Sequence, residues 1–140
     1  MNTPGASGAI PVSDYRRRNS HAEVYYDSVR KMTGDVEKIA NNTGFSIQEI
    51  QKVKDHIFNN KYDLGGSEPE TFAPDYHMAL SWQRLVDGKN IEDMDTLLLK
   101  HELRERELMI EQGMSYNTAH RIAENEYNYK VLADLKDGLL

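Results

Sequence analysis

The chain of 140 residues contains no cysteine, which excludes disulfide bonds and thiolate zinc sites. Any metal ion must therefore be held by histidine, aspartate or glutamate. No apolar run approaches the ~20 residues that a membrane-spanning helix needs, and the N-terminus lacks the basic start and apolar core of a secretory signal. We therefore expect a soluble protein with no membrane insertion, of a length that suits one domain.

Positive charge is also scarce, because 17 Lys and Arg face 23 Asp and Glu, which gives a net charge of −6. This balance argues against binding nucleic acid or anionic membranes through a general basic surface. Nucleic acid remains an option only as a substrate held in a small pocket. The chain also lacks the sequence pattern of β-strands, since no stretch alternates convincingly between apolar and polar residues. The sequence therefore predicts an all-α fold.

Helical periodicity and capping signals predict six helices of unequal length in a single compact domain over residues 14–140. Residues 1–13 combine small residues with Gly and Pro, and are predicted to form a flexible leader. Ser20 with Glu23, and Ser46 with Glu49, have the spacing of capping boxes. The predicted helices cover approximately residues 20–32, 35–41, 46–59, 74–86, 91–112 and 115–134.

The last two predicted helices are joined by a short connection, so we expect them to form an antiparallel hairpin at the centre of the domain. At ~100° per residue, His101 and Glu105 share an apolar face of the first of these helices. His120 and Glu124 repeat the same spacing on the second helix. A buried carboxylate needs a hydrogen-bonded partner, a proton or a metal. The hairpin should therefore bring His101, Glu105 and His120 into one polar cluster.

The same projection predicts burial along the helix over residues 91–112. Apolar positions on its two sides are expected to be buried together with Trp82 of the preceding helix; they are Leu98, Leu99, Leu103, Leu108 and Ile110. A polar strip is expected to be exposed; it consists of Lys100, Arg104, Glu107 and Glu111.

Two imidazoles and one carboxylate form the ligand set of many catalytic zinc sites. We therefore predict that His101, Glu105 and His120 bind zinc or another divalent metal. Glu102 would be the general base, as in the His-Glu-x-x-His arrangement of metallopeptidases, where Glu105 replaces the second histidine. On this hypothesis the chain is a hydrolase whose catalytic residues are Glu102, His101 and His120.

Three alternatives stay open at this stage. In a metal-free enzyme, His101 or His120 would act as acid or base and Glu105 would orient it, with a cation supplied by Arg30, Lys31 or Lys100. In a non-catalytic structural or interaction module, the same residues would be a buried network that stabilises the hairpin. A helix-turn-helix DNA binder over residues 39–50 is the third, although the charges of its second helix cancel. His56 and His77 are expected to be lone surface or core residues.

From about Ser7 to Lys130 the chain resembles an effector-type domain found at the C-terminus of phage minor head (head-morphogenesis) proteins and of bacterial polymorphic toxins. The matching stretches are His21–Tyr26, Ile39–Gly44, Lys54–Phe58, Ser81–Leu85, Leu99–Glu102 with Glu105, and Ala119–Ala123. The resemblance implies a mobile effector module attached to different delivery proteins, but it carries no known reaction. It also implies an immunity protein or phage head components as partners. The expected location is a bacterial cytoplasm, a virion, or a target cell that receives the module.

Overall fold

A computed structural model describes residues 10–140 of the chain and contains seven α-helices. Two of them continue into a π-helical turn, over Asp55–Asn59 and Glu107–Glu111. Within the described residues there is no strand, and only an isolated bridge joins Tyr62 to Glu70. The all-α prediction is confirmed, with one more helix than expected. The α-helices are α1 (Tyr15–Lys31), α2 (Asp35–Thr43), α3 (Ile47–Lys54), α4 (Tyr76–Asp87), α5 (Asp93–Arg106), α6 (Tyr116–Glu126) and α7 (Tyr129–Lys136).

Side-chain caps determine where several helices begin. The Ser46–Glu49 capping box is confirmed at the start of α3, because both of its hydrogen bonds are present. The capping box predicted at Ser20 is wrong, since α1 begins earlier, at Tyr15. The carboxylate of Asp14 accepts a hydrogen bond from the backbone N–H of Arg17 and supplies the cap instead.

The C-terminal helix predicted over residues 115–134 is two helices, because α6 ends at Glu126 and α7 begins at Tyr129. Tyr127 between them has an extended backbone, with φ −137° and ψ 91°. The predicted hairpin nevertheless forms between α5 and α6. These helices are antiparallel, since Glu105 contacts His120 while the earlier residue Arg104 contacts the later residue Glu126.

The main core lies between α1, α3 and α4, where the rings of Tyr26, Phe58 and Trp82 pack edge to face. A buried ionic contact ties this core to α2, because Asp35 accepts hydrogen bonds from Lys54 Nζ (2.9 Å) and Trp82 Nε1 (3.2 Å). Their mutual attraction and the hydrogen bond from Trp82 offset the desolvation cost of burying both charges. The contact holds α2, α3 and α4 in one arrangement.

A second buried ionic contact anchors α5, the helix that carries most of the predicted site. Asp95 is fully buried and accepts hydrogen bonds from Arg84 Nε (2.8 Å) and Nη2 (2.7 Å). The Ser81 hydroxyl also donates to Asp95, and it contacts the Tyr129 hydroxyl at 2.9 Å. The N-terminal turn of α5 is thereby tied to α4 and α7.

The predicted burial pattern of the helix over residues 91–112 is correct in part. Leu98, Leu99, Leu108 and Trp82 are buried, while Leu103 is only half-buried. The prediction for Ile110 is wrong, because its exposed fraction is 46%. The π-helical turn explains this error, since i→i+5 bonding changes the rotation per residue and shifts every later position around the axis. In the polar strip, Lys100 and Glu111 are exposed, whereas Arg104 and Glu107 are half-buried.

Residues 1–9 of the predicted leader lie outside the described residues. Ile10, in its last part, is buried in a small cluster with Tyr76 and Leu80. Its carbonyl accepts two hydrogen bonds from the guanidinium of Arg18, at 3.1 and 2.9 Å. Across residues 10–140 we find no helix with the length and apolar character required to cross a bilayer.

Candidate functional site

The carboxylate of Glu105 lies at the centre of the cluster and accepts hydrogen bonds from three imidazoles. His56 Nε2 lies 2.8 Å from Oε1, while His120 Nδ1 (2.8 Å) and His101 Nε2 (3.3 Å) lie beside Oε2. Glu105 is 2% exposed. Burial alone would raise the pKa of Glu105, but the hydrogen bonds from the three histidines outweigh it and hold this pKa below its usual range. Glu105 is therefore an anion.

The structure brings together the residues that the hairpin argument joined and adds His56, whose part the sequence reasoning missed. His56 is fully buried in the π-helical turn that follows α3. The sequence does indicate that His56 is buried. It follows the apolar residue Val53 by three positions in the same predicted helix, and therefore lies near the apolar face of that helix. Sequence spacing cannot show that this face meets α5, a helix that is distant in the chain. His77, the other histidine set aside, lies on Asp137 outside the cluster.

The outer nitrogens of the two buried imidazoles are held by groups outside the cluster. His101 Nδ1 donates to the carbonyl oxygen of Tyr127 at 3.0 Å, which the break between α6 and α7 makes available. His56 Nδ1 forms a hydrogen bond of 2.7 Å with the Tyr62 hydroxyl, which also accepts from Asn60. These contacts turn both Nε2 atoms towards the glutamates. Outer partners of this kind orient the histidine ligands of metal sites.

The inner nitrogen of His101, Nε2, must carry either a proton or a metal ion. A carbonyl oxygen only accepts hydrogen bonds, so the contact with Tyr127 assigns one proton to Nδ1. The lone pair of Nε2 would then face the Glu105 carboxylate unless Nε2 carries a second proton or a metal ion. Burial alone would lower the pKa of His101, but the hydrogen bond to Glu105 and the charge of Glu102 raise it to about 9. Without a metal, His101 is therefore an imidazolium near neutral pH.

Glu102 is a buried carboxyl group that makes no hydrogen bond with any of residues 10–140. Its nearest nitrogens are His101 Nε2, at 3.6 Å from Oε2, and His56 Nε2, at 3.7 Å from Oε1. Burial raises the pKa of Glu102 well above its usual value, and the negative charge of Glu105 raises it further. With its side chain only 7% exposed, this carboxyl has little contact with water to compensate for the missing hydrogen bond, which is costly. A proton or a bound cation would relieve that cost.

Two groups of these side chains could hold a metal ion, because within each group the ligand atoms all lie within 4.8 Å of one another. One group consists of His101, His120 and Glu124, and the other of His56, Glu102 and Glu105, so the three predicted ligands are divided between the two groups. Glu124 lies at the rim, with Oε1 at 3.5 Å from His101 Nδ1. Both of its oxygens accept from the backbone N–H of Lys130 at the start of α7.

Aromatic side chains from the segment over residues 60–75 and from α6 cover the cluster. Phe72 packs edge to face on His56, with ring centroids 5.1 Å apart, and also contacts Tyr62 and Tyr116. Tyr116 in turn stacks on His120. Of the three histidine side chains that bond to Glu105, those of His56 and His101 are 0% and 2% exposed, while that of His120 is 40% exposed. The site is therefore open to solvent at His120.

The cations proposed for a metal-free reaction lie elsewhere or are already paired. Arg30 donates from Nε to the Phe58 carbonyl and from Nη1 to Asp27. Lys31 and Lys100 are exposed. The helix-turn-helix alternative also has one basic side chain fewer than the sequence suggests, because Lys54 is buried on Asp35. A DNA-binding surface on α3 would have to rely on its remaining charges.

Comparison with known proteins adds no assignment. No family model matches the chain, and neither a curated protein nor a solved structure matches it.

Proposed function

We propose that this chain is an effector domain with a hydrolytic site in which a divalent metal ion, zinc or a similar ion, is bound by His101, Glu105 and His120. His101 Nε2 and His120 Nδ1, which both approach Oε2 of Glu105, would hold such an ion, and the ion would take the place of the second proton of His101.

The contact between His101 Nδ1 and the Tyr127 carbonyl carries this proposal. Because this contact uses the proton on Nδ1, the inner nitrogen of the buried His101, Nε2, must carry a second proton or a metal ion. The same cluster contains the carboxyl group of Glu102, which has no hydrogen bond to the described residues. The three histidines already satisfy Glu105, so Glu102 adds a second negative charge that lies 3.6 Å from His101 Nε2 without a hydrogen bond. An ion at this point would also attract the carboxyl group of Glu102, which has no hydrogen bond to the described residues.

A divalent ion supplies a Lewis acid and lowers the pKa of a water molecule that it binds. Hydrolysis joins the water oxygen to the substrate, breaks the bond to the leaving group, and moves one proton from water to that group. Glu102, adjacent to His101, is the predicted proton acceptor for this transfer, and its raised pKa suits the role. His120, at the opening, is the first of these side chains that a substrate meets.

The effector assignment is supported by the position of the stretches that resemble phage and toxin domains. Lys54–Phe58 contains His56, Leu99–Glu102 contains His101, and Ala119–Ala123 contains His120. Three of the six stretches on which the resemblance rests, together with Glu105, thus supply the cluster. An effector of this kind would be neutralised by an immunity protein or carried by phage head components, and nucleic acid is one candidate substrate.

Metal binding is tested on protein purified without an affinity tag, since a histidine tag binds zinc itself. The metal-stripped protein is titrated with Zn²⁺ and followed by calorimetry. We expect saturable binding that His101→Ala abolishes and that His77→Ala, remote from the cluster, preserves. A failure of the wild-type protein to bind Zn²⁺, Mn²⁺ or Co²⁺ would leave the structural-network alternative.

The effector role is tested by inducible expression in bacterial cells. We expect growth arrest with the wild-type chain and with His77→Ala, and normal growth with His101→Ala at equal expression. Circular dichroism of the purified variants checks that each is folded. Growth arrest that persists in a folded His101→Ala variant would exclude the cluster as the toxic site.

A further inference from the structure

The two glutamates of the cluster each direct one oxygen to His56 and the other to His101. Glu105 places Oε1 2.8 Å from His56 Nε2 and Oε2 3.3 Å from His101 Nε2. Glu102 places Oε1 3.7 Å from His56 Nε2 and Oε2 3.6 Å from His101 Nε2. Two carboxylates that span the same pair of imidazoles have the arrangement of ligands that bridge two metal ions.

On the inner side, His56 and the two Oε1 atoms form a group of their own. Its three residues are at most 5% exposed, and their ligand atoms lie within 4.8 Å of one another. One nitrogen and two carboxylate oxygens are ligands that suit zinc and manganese. With an ion on Nε2, His56 would keep its proton on Nδ1 and donate it to the Tyr62 hydroxyl, 2.7 Å away, which orients Nε2 towards this group.

Glu102 gives independent support for an ion on this side. Its carboxyl is buried and directed between His56 and His101, yet it finds no hydrogen-bond partner among the described residues. A single ion beside His101 and His120 leaves the Oε1 side of Glu102 unpaired. A second ion beside His56 would engage it.

We propose that the cluster binds two divalent cations, with the second ion held by His56 Nε2, Glu102 Oε1 and Glu105 Oε1. This inference rests on the proposed metal site at His101, Glu105 and His120, and it extends that site inwards. Carboxylate-bridged ions lie about 3.5–4 Å apart, a spacing at which two ions stabilise both the attacking and the leaving oxygen of a displacement. In this two-ion form Glu102 is a ligand instead of the proton acceptor, and Glu124 is the carboxylate that remains at the rim to accept the proton.

The number of bound ions tests the inference. Tag-free, metal-stripped protein is loaded with Mn²⁺, dialysed, and analysed for metal content and by electron paramagnetic resonance. We expect two ions per chain with an exchange-coupled signal. His56→Ala should retain one ion and lose the coupling, whereas His77→Ala, a histidine outside the cluster, should retain two coupled ions.

The possible outcomes distinguish a failure of the second metal site from a failure of the first. One uncoupled ion in the wild-type protein overturns the inference and leaves the proposed function intact, while no bound ion contradicts both. Two ions that persist in a folded His56→Ala variant overturn the assigned position. If circular dichroism shows that His56→Ala is unfolded, the wild-type spectrum decides, because two ions without coupling are too far apart to share Glu102 and Glu105.

Discussion

Glu105 illustrates at the scale of a single residue how a buried charge determines its surroundings. Its carboxylate is enclosed by protein, yet it stays ionised because three imidazoles from separate segments donate to it. The same anion raises the pKa of its neighbours, since burial together with Glu105 and Glu102 brings that of Tyr116 to about 12. Removing the anion should therefore disturb the whole cluster.

Glu105→Gln should lower the free energy of unfolding by about 3–5 kcal/mol, because it leaves a buried imidazolium without its counter-ion. Urea denaturation at neutral pH in the presence of a chelator measures this loss without any contribution from metal. Glu107→Gln, two residues further along the same helical segment, is the matched control. Its carboxylate is 46% exposed and pairs with Arg104, so we expect a loss below about 1 kcal/mol. Equal losses in the two variants would contradict the central role of Glu105.

At the scale of the helix, α5 shows how far periodicity alone predicts burial. The spacing of His101 and Glu105 correctly indicates that they share a face, because both lie in regular α-helix before the π-helical turn. Ile110 lies beyond the start of that turn, and its predicted burial is wrong for that reason. The sequence contains no clear sign of the turn, since π-helical bonding is a response to packing against neighbouring elements.

Truncation of two leucines on α5 measures its orientation. Leu99→Ala should cost about 2–5 kcal/mol, because Leu99 is fully buried in the main core and truncation leaves a cavity. Leu103→Ala should cost clearly less, since Leu103 is half-buried and water can fill the vacated space. Thermal or urea unfolding of both variants gives the comparison. A larger loss for Leu103→Ala would show that the helix is rotated relative to this structure.

The end of α4 offers a second test at the scale of the helix. Asn42 of α2 donates from Nδ2 to the carbonyls of Leu85 (2.8 Å) and Val86 (3.3 Å) and so satisfies the last turn of α4. Gly88 is the C-terminal cap of α4, with φ 70°. A Cβ at this position would clash with Asn42, because it would lie 2.8 Å from Nδ2. Gly44 has a similar φ of 85° but no atom within 4 Å of such a Cβ.

Gly88→Ala should therefore destabilise the fold more than Gly44→Ala. Both substitutions incur the strain of a left-handed backbone, about 1 kcal/mol. Only Gly88→Ala also displaces the amide that caps α4. Urea denaturation of the two variants measures the difference. Equal losses would show that the Asn42 amide adds nothing to the stability of this helix end.

At the scale of the whole molecule, Asp137 joins the two ends of the described chain. Its carboxylate accepts hydrogen bonds from Arg18 of α1, at 2.9 and 3.0 Å, and from His77 of α4, at 2.9 Å. Burial alone would raise the pKa of Asp137, but the bonds from Arg18 and His77 outweigh it and lower this pKa. Because the folded protein binds this proton less readily than the unfolded chain, the contact stabilises the fold above the unfolded pKa, about 4.

Asp137→Asn should accordingly lower stability by about 1–3 kcal/mol at pH 7. The gap from the wild-type protein should shrink as the pH falls below about 4, because the wild-type carboxylate then becomes protonated as well. Thermal unfolding from pH 7 down to pH 3 follows this gap. Asp134→Asn is the control, since within residues 10–140 Asp134 forms an ion pair only with the largely exposed Lys130. A gap that stays constant with pH would contradict the ionic character of the contact.

The sequence by itself determined the helical class, the Ser46 cap and the shared face of His101 and Glu105. Each of these depends on residues within one or two helical turns, where backbone geometry alone relates side chains to one another. The meeting of His101 and Glu105 with His120 also followed from the sequence, because the short connection after α5 leaves an antiparallel hairpin as the natural arrangement.

Only the tertiary structure decided that His56 joins the cluster, that Tyr127 interrupts the last helix, and that Asp137 contacts Arg18. These contacts join residues 49, 26 and 119 positions apart in the chain. At such separations in the chain, the geometry of a single helix cannot predict which side chains meet. The energies that select them are those of burying apolar faces and satisfying buried charges, which depend on all the helices packing at once.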